Sequence, residues 1–311
     1  MTDTILLVGH GSRDKNGNIE IENFTRQWRD KNPSRRIELC FIEFSDVLLD
    51  DGLALAAKGS TRVIVIPLIL NAAGHVKMEI PEHIAEARAK FPQCEFSYTP
   101  HLGACDEILA IMKRRLDKGM NALDMPDPSS TGVILLGRGA SDRQANGEVA
   151  KMARWLLESC FDKNGRYELI DIAFTGITYP RLERVVQRQV QLGMMQIVVL
   201  PYYLFTGTLI ERIKRQVQTL QQQYPHIRFH CGDYFGFEPE IFELLEKRAT
   251  EAGFSENLMP CDGCRFRDIA QELGHGHSHN HSHDHKHDQA HDHSHDHHHD
   301  HAHDHKHEHT A

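Results

Sequence analysis

Several things are scarce in this 311-residue chain, and each shortage excludes a class of protein. No run of 18 apolar residues occurs, so a membrane-spanning helix is excluded. There is no basic cluster, and the net charge is -9, which makes nucleic acid a poor partner. Cysteine is limited to seven residues, an odd number, and Cys40, Cys94, Cys105, Cys160 and Cys231 stand singly. A disulfide scaffold is therefore not expected, and a reducing, cytoplasmic setting is. From Met1 the chain enters an apolar run by Ile5 without a basic leader, so no secretory signal is expected. Two Gly-x-Gly turns follow apolar runs, at Gly9 and Gly137, but neither continues to the third glycine of a dinucleotide fingerprint. No Gly-x4-Gly-Lys-Ser/Thr and no Gly-x-Ser-x-Gly elbow is found either. Phosphate cradling and serine-nucleophile chemistry thus lack their signatures.

Histidine, by contrast, is abundant. Of 24 histidines, 18 lie between His275 and His309, interleaved with Asp, Ser, Lys, Asn and Ala. This segment carries a formal charge of -5 and the remainder of the chain -4. It has almost nothing apolar to bury, so residues 275–311 are expected to be a disordered tail. Its His-x-His repeats suit reversible binding of several divalent metal ions. By affinity order such sites prefer Cu2+, Ni2+ and Zn2+ over Co2+, so the tail signals metal handling without naming the metal.

The rest of the chain repeats itself. Ile5-Leu-Leu-Val-Gly-His-Gly-Ser-Arg-Asp14 is matched by Val133-Ile-Leu-Leu-Gly-Arg-Gly-Ala-Ser-Asp142. Val63-Ile-Val-Ile-Pro-Leu-Ile-Leu70 is matched by Ile197-Val-Val-Leu-Pro-Tyr-Tyr-Leu204. Between them, Ile37-Glu-Leu-Cys-Phe-Ile-Glu43 parallels Leu169-Ile-Asp-Ile-Ala-Phe-Thr175, at offsets of 128, 134 and 132. The continuous apolar runs read as parallel strands buried on both faces. Ile21, Phe24 and Trp28 mark one face of an intervening helix, as do Val149, Met152, Ala153, Leu156 and Leu157 in the second unit. The class is α/β, two tandem units each with a mainly parallel sheet flanked by helices. The expected boundaries are 1–120, a linker at 121–131, 132–255, a CxxC segment at 256–274, and the tail.

In such sheets ligands bind at the carboxyl ends of the strands. His10 follows the first strand within Gly9-His-Gly-Ser, Glu43 ends the next, and His75 follows Asn71-Ala-Ala-Gly after the third. Two imidazoles and a carboxylate can ligate Co2+, Ni2+ or Fe2+, and can also accept protons near neutral pH. A single histidine after a strand is commonly only a hydrogen-bonded loop residue. The repeat argues otherwise, because the matching positions are Arg138 for His10, Thr175 for Glu43, and Thr208 or Leu209 for His75. Three candidate ligands are absent together while the framework glycines and proline stay, which is what one site in the first unit predicts.

Leu7-Val-Gly-His-Gly-Ser-Arg, Phe41-Ile-Glu and Val65-Ile-Pro-Leu, with Ala-Gly-His75, resemble the CbiX class of sirohydrochlorin chelatases. The duplication, the Met259-Pro-Cys-Asp-Gly-Cys264 segment and the histidine tail resemble its long form. The resemblance implies two chelatase-like domains facing a cleft and insertion of Co2+ into sirohydrochlorin for cobalamin biosynthesis. It implies His10 as metal ligand and proton acceptor and His75 as second ligand. Glu43 and the stretch Leu70, Asn71, Ala72, Ala73 and Gly74 would line the tetrapyrrole site. Arg138 is suited to a substrate carboxylate, which a planar guanidinium binds bidentately. An iron–sulfur cluster at Cys261 and Cys264 is also implied, but one CxxC supplies two thiolates where four ligands are usual. A complete site would draw on remote ligands or on a second chain, giving a dimer through this segment; a redox or metal-relay dithiol is the alternative. The rival functions are a ferrochelatase making sirohaem, a nickel chelatase, and a non-catalytic metallochaperone or metal store. The last would use the tail but not His10 and His75.

Overall fold

Buried strands set the architecture. In the first half, β1 (Thr2–Gly9) leads through α1 (Lys15–Lys31) to β2 (Arg36–Phe41), then α2 (Leu49–Ala57) and β3 (Ser60–Pro67). A π-helical turn (His75–Glu79) runs directly into α3 (Ile80–Lys90), followed by β4 (Glu95–Tyr98) and α4 (Asp106–Asn121). The second half repeats this order: β5 (Thr131–Gly137), α5 (Arg143–Ser159), β6 (Leu169–Phe174), α6 (Leu182–Gln191), β7 (Gln196–Pro201), α7 (Thr208–Gln223), β8 (Arg228–Cys231) and α8 (Pro239–Glu251). The computed structural model describes residues 2–160, 166–252 and Met259, which all lie in the compact unit spanning 1–269. Among the described residues no helix is long and apolar enough to cross a membrane.

Two four-stranded parallel sheets result, ordered β2-β1-β3-β4 and β6-β5-β7-β8. The chain turns one way from β1 to β2 and the other way to β3, so the topology switches at β1 in one half and at β5 in the other. Crevices for ligands open at such points, beyond the strands' carboxyl ends. Alternation along β1 sends Ile5 and Leu7 into one core and Leu6 and Val8 into another. In β5, Val133 and Leu135 share the first of these cores, while Ile134 and Leu136 enter a third. One core is thus common to both halves, and Phe24, Trp28, Met152 and Leu156 all contribute to it. Burying strands on both faces explains why they read as unbroken apolar runs.

The closing helices interlock the halves. Gly119 of α4 packs so closely on Val198 and His230 that a Cβ there would stand 2.9 Å from Val198. Trp28 Nε1 donates to Glu246 of α8 at 2.7 Å, a bond between the first helix and the last.

The repeat needs one correction. Ile5 pairs with Ile37, and its counterpart Val133 pairs with Ile170, so the middle strands are offset by 133 residues and not 132. Each half also has a fourth strand, β4 or β8, beyond the three that the repeat marks.

Candidate functional site

Hydrogen bonding that continues past the strand ends brings the candidate ligands together. Ile42 N donates to Gly9 O at 3.0 Å and Glu43 N to His10 O at 3.1 Å, which fixes Glu43 beside His10. Gly11 has φ +89°, a left-handed conformation that favours glycine. A Cβ on Gly11 would stand 1.7 Å from the Glu43 carbonyl oxygen, so the two loops touch only because this residue has none. Asn18 of α1 clamps the arrangement, accepting from Ser12 N at 2.9 Å and donating to Phe44 O at 2.6 Å.

Within this frame His10 Nδ1 lies 3.5 Å from Glu43 Oε1, and the His10 and His75 rings meet edge to face with centroids 4.9 Å apart. One nitrogen or oxygen from each of His10, Glu43 and His75 lies within 4.8 Å of the others. This is the only such ligand group of three or more among the described residues. His10 Nδ1 faces Gly11 O at 3.1 Å, while Nε2 is 3.2 Å from a guanidinium nitrogen of Arg138. These partners assign the Nδ1–H tautomer, with the Nε2 lone pair accepting from Arg138. Burial lowers the pKa of His10, and nearby Arg138 and His75 lower it further against the opposing pull of Gly11 O and Glu43. The ring is therefore neutral near pH 7, the form that binds metal or accepts a proton.

His75 is held differently. It opens the π-helical turn, in which Ile80 N bonds to His75 O, a geometry often found at functional sites. Its Nδ1 lies 2.5 Å from Glu79 Oε2, and this bond raises its pKa. A carboxylate on one imidazole nitrogen orients the ring and makes the other a better ligand.

All three residues line a cleft of about 650 Å3 between the halves, within the range of small-molecule sites. Glu43 is its one acidic lining residue, whereas Arg13, Arg138 and Arg212 all line it. Beside the cleft, Lys77 Nζ donates to Asp142 Oδ2 at 2.5 Å and to Gln144 at 2.7 Å. Elsewhere Glu20 accepts from Thr206 N at 2.6 Å and from the Tyr234 hydroxyl at 2.7 Å. Both ties join first-half to second-half residues.

The remaining candidates divide. Leu70, Asn71, Ala73 and Arg138 line the cleft, and Asn71 Oδ1 is buried without a partner. Ala72 turns into the outer core of the first half, and Gly74 precedes the π-helical turn without lining the cleft. Gly176, not Thr175, stands opposite Glu43, because Gly176 N donates to Arg138 O as Glu43 N does to His10 O. The strand register carried onward matches His75 with Leu209 and the helix starts match it with Thr208, so the second half offers no histidine or carboxylate at any of the three positions. Cys261, Cys264 and the histidine segment 275–311 lie outside the described residues. Glu79 and Arg212 fall in none of the sequence motifs, and Arg13 appears in one only as the last residue of Leu7-Val-Gly-His-Gly-Ser-Arg. Only Glu79 left a local signal, an acid four residues after a histidine.

The CbiX family profile matches residues 4–119 and again 132–252. The sirohydrochlorin cobaltochelatase of Priestia megaterium is 40% identical over 88% of this chain and 87% of its own length. The sirohydrochlorin ferrochelatase of Bacillus subtilis is 29% identical over 87% of this chain and all of its own. The structure of SirB from Bacillus subtilis with Fe3+ superposes with a TM-score of 0.69 at 28% identity, covering 82% of this chain and 97% of that one.

Proposed function

The chain belongs to the CbiX family, and we propose that it is a sirohydrochlorin cobaltochelatase, inserting Co2+ into sirohydrochlorin for cobalamin biosynthesis. The observation that carries this reading is the convergence of His10, Glu43 and His75 in the lining of one cleft, in a chain 40% identical to a cobaltochelatase. The reaction is Co2+ plus the free-base macrocycle giving the cobalt complex and two protons. A site for it must hold the ion beside the ring and take up the pyrrole protons.

We assign the ion to His10 Nε2, His75 and Glu43, a mixed N/O set suited to a borderline divalent metal. Burial keeps His10 neutral, so its lone pair is available to the ion or to a proton, though not to both at once. Glu43, with about a third of its side chain exposed, is the second acceptor and passes protons to solvent. In this structure Arg138 occupies the Nε2 lone pair, and a substrate carboxylate is a stronger partner for its guanidinium. Leu70, Asn71 and Ala73 flank the macrocycle. The residues named need no nucleotide, and no step is coupled to ATP.

The histidine segment 275–311 is assigned to metal storage and delivery on composition alone. Among the described residues the five single cysteines form no disulfide, and no step is routed through a cluster at Cys261 and Cys264. The setting proposed is the cytoplasm.

Iron and nickel are the competing ions, because imidazole and carboxylate accept all three. Anaerobic incubation with sirohydrochlorin and Co2+, Fe2+ or Ni2+ in turn, followed by absorbance, tests the reading. Fastest insertion is expected with Co2+. Faster insertion of Fe2+ would make this a ferrochelatase, and no insertion of any ion would refute a chelatase.

A further inference from the structure

The cleft holds a charge pattern that metal binding does not use. Arg13 follows β1, Arg138 follows β5, and Arg212 is the fifth residue of α7, so both halves contribute. All three are exposed and line the cleft, and none forms an ion pair among the described residues. Elsewhere many arginines find acids, as Arg35 does with Glu246 at 2.8 Å, Arg114 with Glu240 at 2.6 Å, and Arg188 with Asp171 at 2.8 Å; others without an acid among the described residues, such as Arg143 and Arg215, do not line the cleft. Three unpaired guanidiniums around one cavity, in a chain of net charge -9, call for an anion.

Two apolar side chains accompany them. Phe44 and Ile177 sit at equivalent positions in the loops after β2 and β6, are 44% and 60% exposed, and line the same cleft. Both have positive φ, 55° and 60°, which is costly for bulky and β-branched residues and gathers at ligand sites. Arg13 lies over the Phe44 ring, 4.9 Å from its centroid, which steadies a long side chain in the lining of the cleft.

We propose that Arg13 and Arg212, with Arg138, form a cradle for the peripheral carboxylates of the tetrapyrrole, and that Phe44 and Ile177 cover its apolar faces. The cradle rests on the sirohydrochlorin reading above and names the residues that select a polycarboxylate macrocycle over a neutral one. Guanidinium is the matching group, since it binds carboxylate through two parallel N–H donors.

Binding of metal-free sirohydrochlorin, titrated anaerobically by absorbance, tests this without any metal. Arg13→Gln and Arg212→Gln should each raise Kd about tenfold, and the double variant about a hundredfold. Arg13→Lys should restore part of the loss. The fully methyl-esterified macrocycle should bind wild type and both variants alike, whereas Phe44→Ala should weaken acid and ester together. In turnover the arginine variants should raise KM and leave kcat nearly unchanged. Co2+ affinity without tetrapyrrole should not move. Variants binding the free acid within about twofold of wild type would overturn the cradle and leave the chelatase reading intact. A wild type that does not bind sirohydrochlorin would overturn both. Insertion of a different metal would overturn only the choice of cobalt.

Discussion

Gly11→Ala is the sharpest single test of how the site is built. The added Cβ would stand 1.7 Å from Glu43 O and 2.8 Å from its carbonyl carbon, both backbone atoms that no rotamer change can move. To reach even 3.0 Å, the loops after β1 and β2 must separate by about 1.3 Å. A left-handed alanine adds about 1–2 kcal/mol, and the forced separation about 1–3 kcal/mol more. A loss of about 2–5 kcal/mol is therefore expected in a urea titration. The displacement carries Glu43 away from His10, now 3.5 Å distant, and binding sites tolerate only about 0.5 Å of such error. Co2+ affinity measured by calorimetry should fall about a hundredfold. Two controls separate the causes. Gly59 has φ +77° but nothing within 4 Å, so Gly59→Ala should cost only the conformational part and leave Co2+ binding unchanged. Gly139, the counterpart of Gly11, would place its Cβ 2.3 Å from Gly176 O, so Gly139→Ala should destabilise strongly while sparing Co2+ affinity. Wild-type Co2+ affinity in Gly11→Ala, or equal losses in Gly11→Ala and Gly139→Ala, would refute the assignment of the ion to the first half.

Glu79→Gln removes the carboxylate that raises the pKa of His75. An imidazolium cannot bind a metal, so Co2+ binding is lost as pH falls through that pKa, and this variant should keep binding to lower pH in titrations between about pH 5 and 8. His101 is half-buried, with both ring nitrogens out of solvent and unpartnered, and its pKa is pushed down to about 4, chiefly by burial. The folded state resists its protonation, so stability should decline as pH falls from about 6.5 toward 4 by on the order of 3 kcal/mol; a His101→Gln variant whose urea midpoint kept the wild-type slope in this window would refute that source. Deleting residues 275–311 should leave turnover at saturating Co2+ unchanged and reduce it when Co2+ is scarce, as a tethered reservoir acts through effective concentration. Equal rates of full-length and shortened chains at limiting Co2+ would show that the segment does not deliver metal.

How much of this was legible depended on whether a residue's role is local. β1, β3, β5 and β7 could be read directly, because burial on both faces leaves an unbroken apolar run. His10, Glu43 and His75 could be grouped because each follows a strand, and parallel strands end on the same edge. The register of β2 against β6 slipped by one, since Leu-Cys-Phe-Ile and Ile-Ala-Phe-Thr align almost as well at either offset, and only pairing with β1 and β5 decides. The edge strands β4 and β8 have four residues each, too few for a pattern to declare itself. Arg13 and Arg212 are 199 positions apart and look like ordinary surface arginines; only folding reveals that they share a cleft and lack acids. The positive φ of Phe44 and Ile177 runs against their residue types, so no local rule announces it.

The duplicated halves keep their scaffolding and part company only at the chemistry. Asp14 and Asp142 cap equivalent helices, accepting from Asn16 N at 3.0 Å and Gln144 N at 2.7 Å. Asn18 and Asn146 clamp equivalent loops, accepting from Ser12 N and Ala140 N, both at 2.9 Å. Gly11 and Gly139 make the same left-handed turn. Such devices are needed wherever a helix follows a strand tightly, so each half retains them for stability alone. A macrocycle has one central cavity and takes one ion, and a second ligand set across the cleft would compete for that ion instead of helping insert it. Relieved of ligation, the second half can present a guanidinium where the first presents an imidazole, and Arg138 already reaches His10 Nε2 at 3.2 Å. Converting Arg138 to histidine should therefore not create a better enzyme. It should bind Co2+ more tightly across the cleft, weaken sirohydrochlorin binding by about tenfold, and slow turnover. A variant that bound Co2+ more tightly and also turned over faster would show that the asymmetry has another cause.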